Sequence, residues 1–260
     1  MDDYPYAMKL NTTRRALALL APAILFLTGC AKDSSAGFPG TASSVNEISY
    51  DLWTGAWIAA GVVGVITLIL ILWPAVFHRA PKNGPEFPKQ TQYNIPVEIA
   101  YTIIPFIIVA VLFYYTAKDE SAITKPSGVA QHEIAVNGIQ WSWQFTYLDA
   151  GKDVTVTGTP SEPPVLVVPQ GERVRYTINS NDVVHGFWIP AFMIQIQNLP
   201  GVTNHIEFTA NELGEFPGRC NILCGRSHTQ MLFTVKVVTP AEYQQYIANL
   251  KVETEKASQA

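Results

Sequence analysis

The stretch Arg219-Cys-Asn-Ile-Leu-Cys-Gly-Arg-Ser-His-Thr-Gln-Met231 places two thiols, an imidazole and a thioether within twelve residues. A second imidazole, His185, lies upstream in Asp182-Val-Val-His-Gly-Phe-Trp-Ile-Pro190. Sulfur and imidazole ligands suit copper and zinc, and a blue-copper site uses one thiolate, two imidazoles and a weak thioether. This set contains one thiolate more. Because a second thiolate can bridge two ions, the residues suggest a two-copper, thiolate-bridged centre that passes single electrons.

Three other interpretations compete for the same residues. Two cysteines and two histidines also form a tetrahedral zinc site, although zinc has no use for Met231. A disulfide between Cys220 and Cys224 is possible in an oxidising compartment, but it leaves His228 and Met231 unexplained. A copper-delivery protein is the third interpretation, and such proteins usually carry a βαβ pattern, whereas this region indicates strands.

Short β-rich runs separated by turn residues follow one another from Glu133 to Val238. Many strands at short spacing predict a sandwich or barrel over residues 132–238, with the candidate ligands in the connecting loops. The segment Thr239-Pro-Ala-Glu242 has a capping-box pattern with Pro at the first helical position, so residues 239–260 should form a helix to about Val252 and a polar tail. The predicted strands are His132–Val136, Val154–Thr157, Val165–Val168, Val174–Ile178, His205–Phe208 and Met231–Val238.

The N-terminal residues 1–29 are predicted to be a signal peptide of the lipoprotein type. A basic region is followed by an apolar run, Ala16 to Leu27, that is too short to span a bilayer. The run ends in Leu27-Thr-Gly-Cys30, which resembles a bacterial lipobox, so Cys30 is predicted to be a lipidated anchor. Residues 30–51, rich in Ser, Gly and Ala, are expected to form a flexible tether.

Residues 52–117 are predicted to form a transmembrane helical hairpin. Leu52 to Phe77 carries no charged residue, and Ile95 to Ala117 is a second apolar stretch; each is long enough to span the hydrocarbon. The loop between them carries Arg79, Lys82 and Lys89, which places it in the cytoplasm and both flanks outside. Residues 118–131 are expected to be a linker to the outer domain.

The pattern Cys-x-x-x-Cys-x-x-x-His-x-x-Met after Asp-x-x-His-x-Phe-Trp-x-Pro resembles subunit II of the haem-copper cytochrome c oxidases, from about Trp53 to the C-terminal helix. The resemblance implies a two-helix transmembrane hairpin, an all-β cupredoxin-like sandwich and a C-terminal helix. It also implies a binuclear copper centre, CuA, bridged by Cys220 and Cys224. His185 and His228 would each ligate one copper, and Met231 and the backbone carbonyl of Ile222 would complete the coordination.

Ile222 is the main departure from the family pattern, which usually has Glu at this position. Ile keeps the carbonyl that serves copper but lacks the carboxylate that reaches a magnesium or manganese ion, so no magnesium is expected through Ile222. Two further roles follow from the resemblance. Trp141, in Gly138-Ile-Gln-Trp-Ser-Trp-Gln-Phe145, would receive the electron from the donor, although alternating aromatics usually indicate packing. Glu98 would lie at the entrance of a proton path, although a simple interfacial carboxylate is an equal alternative from position alone.

The expected function is that of a membrane-anchored subunit that accepts electrons from cytochrome c and passes them to haem in subunit I, where oxygen becomes water. Subunits I and III, the donor and the bacterial cell membrane are the expected partners, with the copper domain on the outer face. The net charge of −4 argues against a nucleic-acid partner. Residues 133–238 hold nine carboxylates against six Lys or Arg, and Asp182 is the best single candidate for donor docking. The alternatives are an envelope copper-binding or assembly protein and the CuA subunit of a nitric oxide reductase.

Overall fold

The computed structural model describes residues 37–78, 91–150 and 154–259. The predicted signal peptide, with Cys30, and most of the basic loop between the two apolar stretches lie outside the described residues. From Pro39 onward the chain forms one compact unit that joins a helical hairpin to a β-sandwich.

Two long helices form the hairpin, α1 over Ser44–Phe77 and α2 over Ile95–Thr124. Both are long and apolar enough to cross a membrane, and none of the residues in their apolar windows is buried within the chain. Their side chains therefore face the surroundings of this subunit. Such a surface is stable only against lipid or other apolar helices.

Both helices extend beyond the predicted limits. Helix α1 begins at Ser44 rather than Leu52, so the last eight residues of the predicted tether are helical. Ser43 caps this helix, because its Oγ accepts a hydrogen bond from Val45 N at 3.2 Å and Asn46 Oδ1 accepts one from Ser43 N at 3.2 Å. Helix α2 continues to Thr124, so the first seven residues of the predicted linker are helical as well.

The outer domain is a sandwich of two five-stranded sheets. One sheet has the order β3-β2-β1-β5-β8 and the other β4-β10-β9-β6-β7. Most neighbours are antiparallel, but β1 pairs with β5 and β4 pairs with β10 in parallel. The strands are β1 His132–Ile139, β2 Ser142–Tyr147, β3 Val154–Thr157, β4 Val165–Pro169, β5 Arg173–Ser180, β6 His185–Ile189, β7 Ile194–Asn198, β8 Asn204–Thr209, β9 Gly214–Cys220 and β10 Leu232–Val238.

Alternation of buried and exposed side chains explains why β1, β5 and β10 form strands. Their inward residues meet an aromatic core between the sheets. Phe187 and Phe233 stack with ring centroids 5.0 Å apart, and Trp143 meets both rings edge-on at 5.6 and 5.3 Å. Such geometry suits the quadrupoles of the rings and adds to the burial of their area. This cluster lies directly beneath the candidate metal ligands.

The C-terminal helix, α3, spans Pro240–Gln259 and is longer than predicted. The predicted capping box is present. Thr239 N donates to Glu242 Oε2 at 2.9 Å, and Glu242 N donates to Thr239 Oγ1 at 3.3 Å. Tyr243 and Ile247 are buried, so one face of α3 closes the sandwich.

Polar contacts fix the helical hairpin to the sandwich. Ser43 Oγ donates to Phe192 O at 2.9 Å, and Asn46 Nδ2 donates to Ala191 O at 3.0 Å. Thr209 N donates to Ser44 Oγ at 3.1 Å. The first turn of α1 thus belongs to the outer domain, which explains why the helix extends so far beyond its apolar stretch.

A second attachment follows α2. The carboxylate of Glu207 accepts hydrogen bonds from Ser127 N at 2.9 Å and from Arg175 Nε at 2.7 Å. Burial opposes ionisation of this carboxyl, but the bonds from Ser127 and Arg175 outweigh it and hold the pKa of Glu207 below its ordinary value. The charged carboxylate therefore ties the linker to β8.

Candidate metal centre

The cysteine loop, residues 221–231, connects β9 to β10, and the pairing of these two strands holds its two ends together. Arg219 lies opposite Leu232 in the register, and Cys220 N donates to Met231 O at 3.0 Å. Trp143 Nε1 donates to the same carbonyl at 3.4 Å. The two ends of the loop are therefore fixed by the sheet, and Cys220 and Met231 enter the site side by side.

The loop turns back on itself at Gly225 and through a short 3-10 helix, His228–Gln230. Gly225 has φ +124°, a conformation that side chains with a Cβ rarely adopt. The turn brings the donor atoms together. Cys224 Sγ lies 3.8 Å from Cys220 Sγ, 3.8 Å from Met231 Sδ and 3.6 Å from His228 Nδ1. Cys220 Sγ lies 3.2 Å from the carbonyl oxygen of Ile222.

His185 reaches this cluster from the neighbouring strand. It is the first residue of β6, which pairs with β9 so that Phe187 lies opposite Cys220. The ligand atoms of His185, Cys220 and Cys224 all lie within 4.8 Å of one another, and all three residues are buried. The expectation that the ligands lie in loops is thus wrong for His185 and Cys220, which are strand ends.

The imidazole of His185 has one satisfied and one unsatisfied nitrogen. Nε2 lies 2.8 Å from Asp182 Oδ1, whereas Nδ1 is buried without a hydrogen-bond partner among the residues that the structure describes. A buried, unpaired polar atom is costly. A metal ion at the cluster would satisfy Nδ1, so the residues fit such an ion, and their sulfur and nitrogen atoms suit copper.

The structure separates the competing interpretations. Cys220 and Cys224 are free thiols, and their separation of 3.8 Å exceeds a disulfide bond of about 2 Å. The all-β sandwich excludes the thioredoxin-like pattern of copper-delivery proteins. Met231 is fully buried with its sulfur at the cluster, a position for which a zinc site has no use.

The two thiols differ in their acidity. Burial opposes ionisation of Cys220, but the nearby imidazole of His185 and the N–H of Gly186 lower its pKa below the ordinary value. Burial and the negative charge of Cys220 raise the pKa of Cys224. These opposite shifts favour a thiolate at Cys220 and a thiol at Cys224.

Comparison with known proteins identifies the family. A family model described as cytochrome C oxidase subunit II, periplasmic domain, matches residues 161–238. A protein named probable cytochrome c oxidase subunit 2 in Streptomyces avermitilis is 37% identical, over 95% of this chain and 88% of its own length. The chain belongs to the cytochrome c oxidase subunit II family. The cytochrome c oxidase subunit 2 of Mycobacterium tuberculosis H37Rv is 31% identical, over 88% of this chain and 79% of its own.

A solved structure, the periplasmic domain of subunit II of cytochrome oxidase of Bradyrhizobium japonicum, is 30% identical. It covers 48% of this chain and 96% of that chain, with a TM-score of 0.45. Membership of the subunit II family makes this chain a component of a haem-copper oxidase, an oxidoreductase, with the electron-accepting role of that subunit. It also implies copper, and it argues against a separate envelope copper-assembly protein.

Trp141 lies in the turn between β1 and β2, not in a strand with Trp143 and Phe145. Its Nε1 donates to Cys224 O at 3.2 Å, and the neighbouring Gln140 Nε2 donates to the same oxygen at 2.9 Å. The half-buried ring lies beneath Arg226, whose Cζ is 5.9 Å from the ring centroid. The structure therefore places Trp141 in direct contact with the cysteine loop.

Glu98 lies far along the chain from this cluster, in the first turn of α2. Its Oε1 accepts a hydrogen bond from Asn94 N at 3.0 Å, so the carboxylate helps to cap the helix. Ile222 is half-buried beside Cys220, and only its carbonyl oxygen offers a ligand.

Sequence reasoning missed the residues that support the ligands. Asp182, the candidate for donor docking, is an exposed residue whose carboxylate also lies 2.8 Å from His185 Nε2 and accepts a hydrogen bond from Gln140 N at 2.7 Å. Burial opposes ionisation of Asp182, but the bonds from His185, Val183 N and Gln140 N lower its pKa. Gly138 was also missed, and its role is steric. A Cβ at this position would lie 2.7 Å from Cδ2 of His185.

The substitution Gly138→Ala should push the His185 ring away from the sulfurs. We expect a loss of about 1–3 kcal/mol of stability, as for other overpacked sites, and weaker metal retention. Thermal unfolding and metal content of the full chain in detergent check this. Gly61→Ala is the control, because a Cβ there meets nothing within 4 Å. Normal metal retention in Gly138→Ala would show that His185 can shift without cost to the site.

Proposed function

We propose that this chain accepts electrons from a cytochrome c at a binuclear copper centre, CuA, and passes them to haem in subunit I, where oxygen is reduced to water. The two coppers would be held by Cys220, Cys224, His185, His228, Met231 and the carbonyl of Ile222. The oxidase as a whole would translocate protons. Within this chain the chemistry would be electron transfer alone.

The observation that carries the proposal is the convergence of six soft or carbonyl donor atoms at the end of the sandwich. The two imidazoles reach the pair of sulfurs from different elements, β6 and the short 3-10 helix. His185 lies with Cys220, since both belong to paired strands, and His228 Nδ1 lies 3.6 Å from Cys224 Sγ. Two shared thiolates and one imidazole for each metal is an arrangement for two ions, whereas a single ion would leave donors unused.

When bound, such a centre supplies a reversible one-electron change shared by two copper ions. The chain contributes a rigid frame for that change. The ligands have little freedom to move. The backbone hydrogen bond from Cys220 N to Met231 O fixes the ends of the cysteine loop, the ring of His185 is buried, and the aromatic core packs below them. Trp141, which donates a hydrogen bond to the carbonyl oxygen of Cys224, would form the contact through which the donor delivers its electron.

The hairpin and the outer domain support a location in the bacterial cell membrane with the copper domain on the outer face. The exposed apolar surfaces of α1 and α2 would pack against subunit I and lipid, and subunit III would join the complex. Lipidation at Cys30 would add an anchor on the same face, which the intact mass of the purified chain would reveal. Because Ile222 has no carboxylate, no magnesium is expected through this residue.

The first test is copper content and electron paramagnetic resonance of the full chain in detergent. We expect two coppers per chain sharing one unpaired electron, because both thiolates bridge the metals. Cys220→Ser should abolish the shared-electron signal, whereas Cys30→Ser should retain both coppers. One metal per chain, or zinc alone, would reject the proposal.

The second test concerns Trp141. Trp141→Phe removes the indole and its bond to Cys224 O, so reduction of the copper by cytochrome c should slow while the copper spectrum stays the same. Trp188→Phe is a matched control, because Trp188 also lies under an arginine, with Arg219 Cζ 5.6 Å from its ring centroid. Stopped-flow kinetics measures both. Equal rates in the two variants would remove Trp141 from the path.

The third test concerns Glu98, proposed to lie at the entrance of a proton path. Glu98→Gln keeps an oxygen that can accept the bond from Asn94 N, so the helix cap should survive while the ionisable group is lost. We expect slower turnover and proton uptake in the assembled oxidase. Unchanged values of both would leave Glu98 as a capping residue only.

A further inference from the structure

Asp182 occupies a position between two parts of the site that sequence places far apart. Its Oδ1 lies 2.8 Å from His185 Nε2, and its Oδ2 accepts the hydrogen bond from Gln140 N at 2.7 Å. Oδ1 also accepts from Val183 N at 2.6 Å and from Ser180 Oγ at 3.4 Å. Both carboxylate oxygens are therefore committed to donors inside the domain.

The bond to His185 decides which nitrogen of the ring faces the sulfurs. A histidine that binds metal through Nδ1 carries its proton on Nε2, and Asp182 Oδ1 is placed to accept it, while the buried Nδ1 has no hydrogen-bond partner among the described residues. A carboxylate that accepts from the outer nitrogen of a ligating histidine fixes its tautomer and orientation and raises its basicity. Asp182 thus prepares His185 as a ligand.

The bond to Gln140 N acts on the other side of the site. Gln140 and Trp141 form the turn whose two side chains donate to the carbonyl of Cys224, at 2.9 and 3.2 Å. These contacts form a closed ring of neighbouring groups. Asp182 contacts the Gln140–Trp141 turn, the turn contacts Cys224, the sulfur of Cys224 lies near that of Cys220, and His185 lies between the sulfurs and Asp182. A displaced carboxylate would loosen the turn and the imidazole together.

We propose that Asp182 is a positioning residue that fixes His185 and the Trp141 turn in one arrangement. The proposal rests on the copper-binding function argued above. The Asp182 side chain is 31% exposed, and each of its two carboxylate oxygens accepts a hydrogen bond from a backbone N–H of the domain.

The decisive variant is Asp182→Glu, which keeps the negative charge but moves the carboxylate by one methylene. A docking charge tolerates this change, whereas a positioning group does not. We expect copper affinity of the full chain to fall roughly 10–100-fold, as for other residues that orient metal ligands. We also expect a shifted reduction potential and an altered copper hyperfine pattern, measured without any donor and unchanged by high salt.

Asp182→Asn is the second variant, because its amide oxygen can still accept from His185 while its NH₂ group cannot accept from Gln140 N. It should retain more copper than Asp182→Glu but reduce electron transfer from a basic cytochrome c at saturating donor. Glu162→Gln is the matched control. Glu162 is an exposed carboxylate in the loop between β3 and β4, at the same end of the sandwich, so its neutralisation should leave the spectrum and potential unchanged.

Two outcomes would overturn the inference. The first is a copper spectrum, potential and affinity of Asp182→Glu equal to those of the wild type. The second is an effect of Asp182→Asn confined to the KM for the donor, matched by Glu162→Gln and lost at high salt, which would make Asp182 a docking charge. Copper content of the wild-type chain is measured first, so failure of the copper function itself is recognised separately.

Discussion

The hydrogen bond from Cys220 N to Met231 O is the constraint on which the site depends, because it joins the last residue of β9 to the residue before β10. Everything between these two residues is a loop whose ends are already fixed. Two sulfurs, an imidazole and a thioether are thereby confined to one small volume, and the loop gives up its conformational freedom when the sandwich folds rather than when a ligand arrives. This prior ordering is what makes a low-mobility redox site possible in a loop of ordinary length.

The second requirement is that the neighbouring strand and turn approach closely. A Cβ at Gly186 would lie 2.0 Å from Asn221 Oδ1, and one at Gly218 would lie 2.2 Å from the ring of Phe233. Glycine at both positions lets β6 and β9 pass close to the cysteine loop and to the aromatic core. The two glycines therefore shape the site as much as the ligating side chains do, and Asp182 Oδ1 lies 2.8 Å from Nε2 of the imidazole on β6.

The sequence was sufficient for the architecture and for the residues of the cluster. Short β-rich runs between turn residues predicted β1, β3, β4, β5, β8 and β10, and long apolar stretches predicted both helices of the hairpin. Strands β6 and β9 escaped the same reasoning. Gly186, Pro217 and Gly218 lower the strand propensity of these segments, and the two glycines are required by close tertiary contacts that local sequence patterns do not reveal.

The limits of α1 and the hydrogen bonds of Asp182 were missed for a related reason. Ser44 to Asp51 is polar enough to suggest a tether, yet Ser43, Ser44 and Asn46 direct that polarity at the outer domain and make it helical. Asp182 has the charge of a docking residue, but its hydrogen bonds to Gln140 and His185 join segments more than 40 residues apart. Long-range pairing of this kind becomes visible only in three dimensions.

The parallel pairing of β4 with β10 has a consequence for biogenesis. Strand β10 is the last of the sandwich, and without it β4 has no partner and the cysteine loop has no second end. Cys224, His228 and Met231 are all synthesised before that strand. While the chain is still crossing the membrane, these ligands would therefore not yet be held close together. Metal could be bound in the final arrangement only after residue 238 had been translocated and β10 had paired with β4 and β9.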